Sequence, residues 1–390
     1  MMEQKRRKIL TAVAGISFIQ GLQYCVAPVL EQIRQHFPDT AVSLVQMLIT
    51  APALLAMAVA VISGWLVVKV SKKKMLVVAG FLAGVLGFVP LLADDFRLLL
   101  LSRTLYGIPL GLATALNTAV VADFFEGDER VSVMGFQAAS VGAGMVVVTT
   151  VGGMLGAGDF THAYFINVIG FISMILIAVC LPDTGSVQAG GTEKITLNKK
   201  VFQVSAFGFL EFFFLITFTT NIAMHISGGL AGNSQVSGIL TGIFSGAQIL
   251  IGLVLVYLTK KTGKYTLPTA MLSFCAGGIL MILFPENLAM LIAGAVFCGF
   301  SQGVFIPTAM VEVADSVRPA AAAMGSACFT CAMCMGQLAS PVILNKAAEL
   351  LLHEVNTKNV YIIATAGMAA AAAGAVLWKR ENKDKKSMNK

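Results

Sequence analysis

Apolar residues run along this chain in blocks of about 20, the length that crosses a bilayer as a helix, and short polar segments separate the blocks. Twelve such blocks can be drawn: 9–30, 42–68, 75–93, 98–122, 131–156 and 161–181, then 201–226, 236–258, 266–285, 288–313, 320–345 and 359–378. The one long internal polar stretch, PDTGSVQAGGTEKITLNKK, falls between the sixth and seventh blocks. The pattern predicts an all-α membrane protein of twelve transmembrane helices in two six-helix bundles. The first bundle is 1–181, a linker covers 182–200, the second bundle is 201–378, and residues 379–390 form a basic tail.

Charge placement supports this layout. Cytoplasmic loops of membrane proteins carry an excess of Lys and Arg. With the N-terminus inside, the inner segments hold 22 of the 27 Lys and Arg, the outer loops hold Arg34, Arg97, Lys346 and Lys358, and Arg103 alone lies within a span. Both termini are therefore expected in the cytoplasm. The net charge of +7 is accounted for by basic loops facing an anionic leaflet, so no nucleic-acid partner is implied. Composition agrees: the chain is 57% hydrophobic and 12% charged, with a mean hydropathy of +0.83, where a soluble domain is about 25% charged. The first apolar run outlasts a signal-peptide core and reads as a retained span. Most of the seven Cys lie inside apolar blocks, away from disulfide-forming loops. Compact loops and the lack of a targeting signal point to a bacterial inner membrane.

The two halves resemble each other. GWLVVKVSKKK at 64–74 follows the second span and GLVLVYLTKKT at 252–262 follows the eighth, and VMGFQA in the fifth span answers AMGSAC in the eleventh. Repeated six-span units sharing a loop motif are the layout of a rocking two-bundle transporter. The loop after the second span resembles the major facilitator superfamily pattern G-x-L-x-D-R-x-G-R-[RK]-x-x-L, with Gly64, Leu66, Lys69, Ser71, Lys72, Lys73 and Leu76 in register. Its acidic position holds Val68, so the resemblance implies an inner gate whose acidic latch is built differently. LLLSRTLYGIPLG in the fourth span resembles R-x-x-[QY]-G-x-G through Arg103, Tyr106 and Gly107, with Pro109 in place of the second Gly; in the family this Arg is tied to proton coupling. Gly135, Gly144, Gly152 and Gly153 match the antiporter pattern G-x8-G-x3-G-P-x2-G-G, with Val148 and Thr149 in place of Gly-Pro. The resemblance covers nearly the whole chain and extends to the drug:proton antiporter branch.

Ionisable residues inside spans are costly and mark function by default. Glu211 lies about ten residues into the seventh span, near the midplane at 1.5 Å per residue, among Phe209, Phe212, Phe213 and Phe214. A carboxyl alternately wetted and dried takes up and releases a proton. At helical spacing Glu211, Phe214, Phe218, Asn221 and His225 share one stripe. Arg103, Tyr106, Thr114 and Asn117 share another on the fourth span, and Gln20, Gln23, Tyr24, Ala27 and Glu31 a third on the first. The tenth span adds Ser301, Gln302 and Thr308. The resemblance implies that spans one, four, seven and ten line a central substrate cavity. Pro28, Pro52, Pro109 and Pro307 are candidate bending points.

Cys328, Cys331 and Cys334 sit three apart in the eleventh span. A four-iron cluster needs four thiolates on an irregular loop, whereas here three thiols step around a helix, which favours small-residue packing over a metal site. No metal or cofactor is expected, and no catalytic set of Ser, His and Asp or Gly-rich phosphate loop is present, so an enzyme is not expected. The expectation is a monomeric, proton-coupled exporter of a small lipophilic compound, with the substrate, protons and the bilayer as its partners. Uptake of a small organic anion clamped by Arg103 is the alternative, and a non-transporting receptor the alternative of another class.

Overall fold

The structure, a computed structural model, describes residues 2–183, 185, 198–317 and 322–388. Most of the expected linker at 182–200 and the last two residues of the expected tail lie outside the described residues. Among the described residues, twelve helices are long and apolar enough to cross a membrane, and there is no strand. The expected blocks and the observed helices agree to within a few residues, apart from extensions at their ends: the eighth helix is Ser234–Thr262, and the last continues from Thr357 through much of the basic tail to Met388.

The chain divides into two compact units. One comprises Met1–Glu193 with Asn233–Gly242, the other Lys194–Gly232 with Ile243–Lys390. The division departs from a simple six-plus-six split because the first turns of span 8 belong to the N-terminal unit. Ser237 there donates to the Pro28 carbonyl at 2.7 Å, and Ser234 to the Gly153 carbonyl at 2.9 Å.

Helix starts follow from side-chain caps, which satisfy N–H groups that the first turn leaves open. Ser71, Asp95, Asn198 and Asn287 accept from the backbone at the starts of spans 3, 4, 7 and 10. Interruptions follow largely from proline. The first span, Glu3–His36, is regular to Gly21 and then passes through two short 3-10 turns, the second containing Pro28, before resuming at Leu30. The expected stripe from Gln20 to Glu31 is thereby broken, since residues 22–29 leave the 3.6-residue period. The second span restarts at Pro52 after Ala51, the fourth after Tyr106 and the seventh after Ile216.

One packing device recurs in both units. On span 4, Gly107 and Gly111 lie against span 2, with a Cβ at Gly107 meeting the Pro52 carbonyl and one at Gly111 lying 2.5 Å from the Ala56 carbonyl. On span 10, a Cβ at Gly299 would meet the Phe244 carbonyl, and one at Gly303 would lie 3.0 Å from Gln248 Cα of span 8. Each glycine and its contact has a counterpart 192 residues along the chain. Small residues four apart let two backbones touch, so this seam is the same joint built twice. Gly299→Val is therefore expected to destabilise the protein by about 1–3 kcal/mol or more through overpacking. Gly135→Val, where nothing lies within 4 Å, is expected to be neutral. Thermal unfolding in detergent compares the two.

Candidate functional site

Glu211 sits in the C-terminal unit at 0% exposure. Its Oε1 accepts from the Ser301 hydroxyl of span 10 at 2.7 Å. Its Oε2 has no hydrogen-bond partner, and no cation is paired with it, among the described residues. Next to Ser301, Gln302 accepts from Gln248 of span 8 at 2.8 Å. Phe218 is fully buried and stacks on Phe244 with centroids 4.8 Å apart. Phe214 packs over Gly367 of span 12. Asn221 donates to the Thr217 carbonyl within its own span at 3.0 Å. His225 bridges spans 9 and 12 through the Met281 carbonyl and the Thr357 hydroxyl, both at 2.9 Å. The structure therefore brings Glu211 together with Ser301, and Gln302 with Gln248, while Asn221 and His225 serve local and interhelical bonds. A buried carboxyl with one oxygen held and the other open is able to bind a proton or a cationic group at the open oxygen.

Arg103 sits in the N-terminal unit at 1% exposure, so it does not snorkel. Its Nε donates to the Leu48 carbonyl at 3.1 Å, Nη2 donates to the Gln23 carbonyl, and Nη1 lies 3.5 Å from Cys25 Sγ. The Leu48 carbonyl is free because its helical partner four residues on would be Pro52, which has no N–H. Gln23 also donates its side-chain amide to Ile49 O at 3.1 Å. Arg103 and Gln23 thus stitch the interruptions of spans 1 and 2. Tyr106 donates to Ile19 O at 2.6 Å and Asn117 to Ser17 at 3.0 Å, tying span 4 to span 1. Tyr24 is buried, and Gln20 is partly buried with its Nε2 unpartnered among the described residues.

The loop motif after span 2 forms an ion pair within its own unit. Lys72 Nζ lies 2.6 Å from Asp123 at the end of span 4, and the Lys72 side chain is 9% exposed. Lys69 lies over the Trp65 ring at 4.0 Å, Lys73 is half-buried, and Gly64 is exposed. Val68 is exposed, and the nearby acidic group comes from Asp183, whose carboxylate accepts from Ser71 at 3.3 Å. The Gly185 N–H, then the Ser71 hydroxyl, hold the Asp183 carboxyl below its usual range. Lys72→Glu is expected to impair the protein through repulsion with Asp123, and Lys72→Glu with Asp123→Lys to restore it, with a coupling of about 0.5–3 kcal/mol. A double-mutant cycle on thermal stability and on transport measures it.

The antiporter-type glycines divide by surroundings. Gly144 packs on the Phe18 backbone, Gly152 on the Cys25 carbonyl, and Gly153 on span 8 at Gly238 and on Pro28, whereas Gly135 meets nothing. Cys328, Cys331 and Cys334 are free thiols, and no cluster of three or more metal-ligating residues occurs among the described residues. His36 pairs with Asp94 at 2.7 Å, which assigns a role to that loop carboxylate. A cavity of about 810 Å³ opens in the N-terminal unit beside His36, Asp94, Asp159 and Phe160. None of the candidate residues lines it, so size alone does not locate the chemistry. Sequence reasoning overlooked Gln248, although an amide in an apolar span is a visible signal. It also missed the Leu48–Pro52 spacing that places Arg103.

Comparison with known proteins decides the family. The Major Facilitator Superfamily profile matches residues 12–210 and 204–390, nearly the whole chain in two copies. The chain belongs to the Major Facilitator Superfamily. This superfamily member is a multi-pass membrane transporter and not an enzyme. It is 24% identical over 278 residues to the quinolone resistance protein NorA of Staphylococcus aureus strain MRSA252, covering 66% of this chain and 69% of that one. Against NorA of strain N315 it is 25% identical over 165 residues, covering 40% and 42%. Two solved structures share the fold. A nucleoside transporter NupG D323A mutant matches with TM-score 0.74 and 13% identity over 94% of this chain and 99% of that one. A bacterial homologue of the human lysosomal transporter Spinster, inward-facing and unoccupied, matches with TM-score 0.70 and 14% identity over 96% and 95%.

Proposed function

We propose that this protein is a proton-coupled exporter of small lipophilic compounds, organic cations foremost, working by alternating access as a monomer in a bacterial inner membrane with both termini in the cytoplasm. The observation that carries the reading is Glu211, fully buried, held by Ser301 through one oxygen and open at the other. Its proton and a cationic substrate compete for that open oxygen. Substrate entry from inside displaces the proton, and reprotonation releases the substrate outside. Phe214, partly exposed in the same unit, supplies apolar surface of the kind that pockets for varied lipophiles use. The likeness to NorA, named for quinolone resistance, and the antiporter-type glycines favour export. The 22-to-4 division of Lys and Arg supports the orientation. Uptake of an anion clamped by Arg103 is disfavoured, because that guanidinium is committed to the Gln23 and Leu48 carbonyls.

The test is substrate-driven proton movement in proteoliposomes across lipophilic cations, neutral lipophiles and small organic anions. Proton movement with cations or neutral lipophiles is the expected result. A response to anions alone, or no response to any compound, overturns the reading.

A further inference from the structure

Adjacent residues on span 10 bond to two different helices. Ser301 holds Glu211 of span 7, and Gln302 holds Gln248 of span 8. Both lie between Gly299 and Gly303, the glycines that bring span 10 against span 8. Pro307 follows within span 10 and leaves the Gly303 carbonyl without its helical N–H partner, which softens the helix beside the seam. The N-terminal unit provides the comparison. At the positions 192 residues earlier its seam carries Pro109, Leu110 and Ala56 in place of Ser301, Gln302 and Gln248. The seam therefore packs without polar groups, and burying amides there costs free energy unless they are paired. At this seam the polar chain belongs to the unit that contains Glu211.

We propose that Ser301 and Gln302 are positioning residues that relay the protonation of Glu211 to span 8, Ser301 by holding the carboxyl and Gln302 by transmitting the displacement of span 10 through Gln248. The inference rests on Glu211 being the proton carrier. The carboxyl accepts from Ser301 through Oε1 in either protonation state. Loss of its proton leaves a buried carboxylate whose Oε2 has no donor and no cation beside it among the described residues, and an unpaired buried charge is costly. Ionisation therefore favours a shift of span 10 along its smooth glycine seam, and the Gln302–Gln248 bond makes span 8 follow. The titratable groups nearest Glu211 are Cys298 on span 10 and Cys275 on span 9, with Tyr361 of span 12 beyond Cys298. None of these is a cation.

The experiment needs no substrate. The full chain in lipid is titrated by infrared difference spectroscopy, with the Glu211 carboxyl C=O band identified by its loss in Glu211→Gln. Hydrogen exchange of spans 8 and 10 is followed over the same pH range. Ser301→Ala is expected to move the midpoint of the band by at least half a pH unit, and Ser301→Thr to return it. The double variant Gln248→Leu, Gln302→Leu imitates the apolar seam of the N-terminal unit and leaves no amide orphaned, so it is expected to fold. It is expected to keep the Glu211 band while losing the pH response of span 8. An unmoved midpoint in Ser301→Ala, or a span 8 response unchanged in the double variant, overturns the inference and leaves the coupling role of Glu211 intact. Absence of any band lost in Glu211→Gln overturns both.

Discussion

Replacing Glu211 with Gln is expected to abolish proton-coupled transport while leaving the protein folded. The amide keeps the shape of the carboxyl and still accepts from Ser301, so the packing of spans 7 and 10 survives. What disappears is the ability to exchange a proton. If the proton on Glu211 changes substrate affinity by some factor, the substrate changes proton affinity by the same factor, a coupling of about 1–3 kcal/mol or roughly 5–150-fold. In wild type the Kd for a transported lipophilic cation is expected to fall across the titration by about that factor, and in Glu211→Gln the dependence is expected to vanish. Equilibrium binding in detergent at several pH values measures the first half of the linkage. Proton release on substrate addition measures the second. A variant that stays pH-dependent in both places the proton elsewhere.

Much of this organisation is legible along the chain because the bilayer imposes a long-period signal that single residues cannot blur. Apolar blocks fix the number of helices, and the Lys and Arg in the loops carry the expected orientation. Glu211 stands out because a carboxyl among four phenylalanines has no solvent to explain it. Its partner Ser301 is harder to see, since a serine in a membrane helix is unremarkable until the fold brings span 10 beside span 7. The Gln20–Glu31 stripe fails for a local reason. A uniform 100° step holds only while the helix is regular, and the 3-10 turns around Pro28 end that regularity. The missing acidic residue at Val68 illustrates another limit. Ser71 meets the carboxylate of Asp183, 112 positions away, and no spacing rule links them.

The two units share a scaffold and differ in chemistry. Both carry the paired glycines that seat span 4 on span 2 and span 10 on span 8. One unit then uses its buried charge to hold interrupted helices together, and the other keeps a buried carboxyl with an open oxygen. Under the proposed function this division gives the two ionisable residues that the sequence singles out together different expected consequences: loss of Glu211 is expected to remove coupling, and loss of Arg103 to remove structure.

Arg103→Ala is accordingly expected to be the more destabilising of the two substitutions. The Leu48 carbonyl has no helical donor because of Pro52, and the Gln23 carbonyl lies where span 1 leaves the α-helix. Both stand at C-terminal ends of helical segments, where the backbone dipoles favour a cation. Removing the guanidinium leaves two buried acceptors, each costing about 1–3 kcal/mol, together with a cavity. A loss of Tm on the order of 10 °C is expected for a unit of this size, read by thermal unfolding in detergent. Arg103→Lys is expected to recover only part of it, because one ammonium cannot reproduce a fork that reaches two carbonyls and Cys25. Transport by Arg103→Ala is expected to fall in proportion to the folded fraction. If the variant melts with wild type and loses transport alone, Arg103 acts in coupling directly, and the buried guanidinium is part of the proton machinery and not of the scaffold.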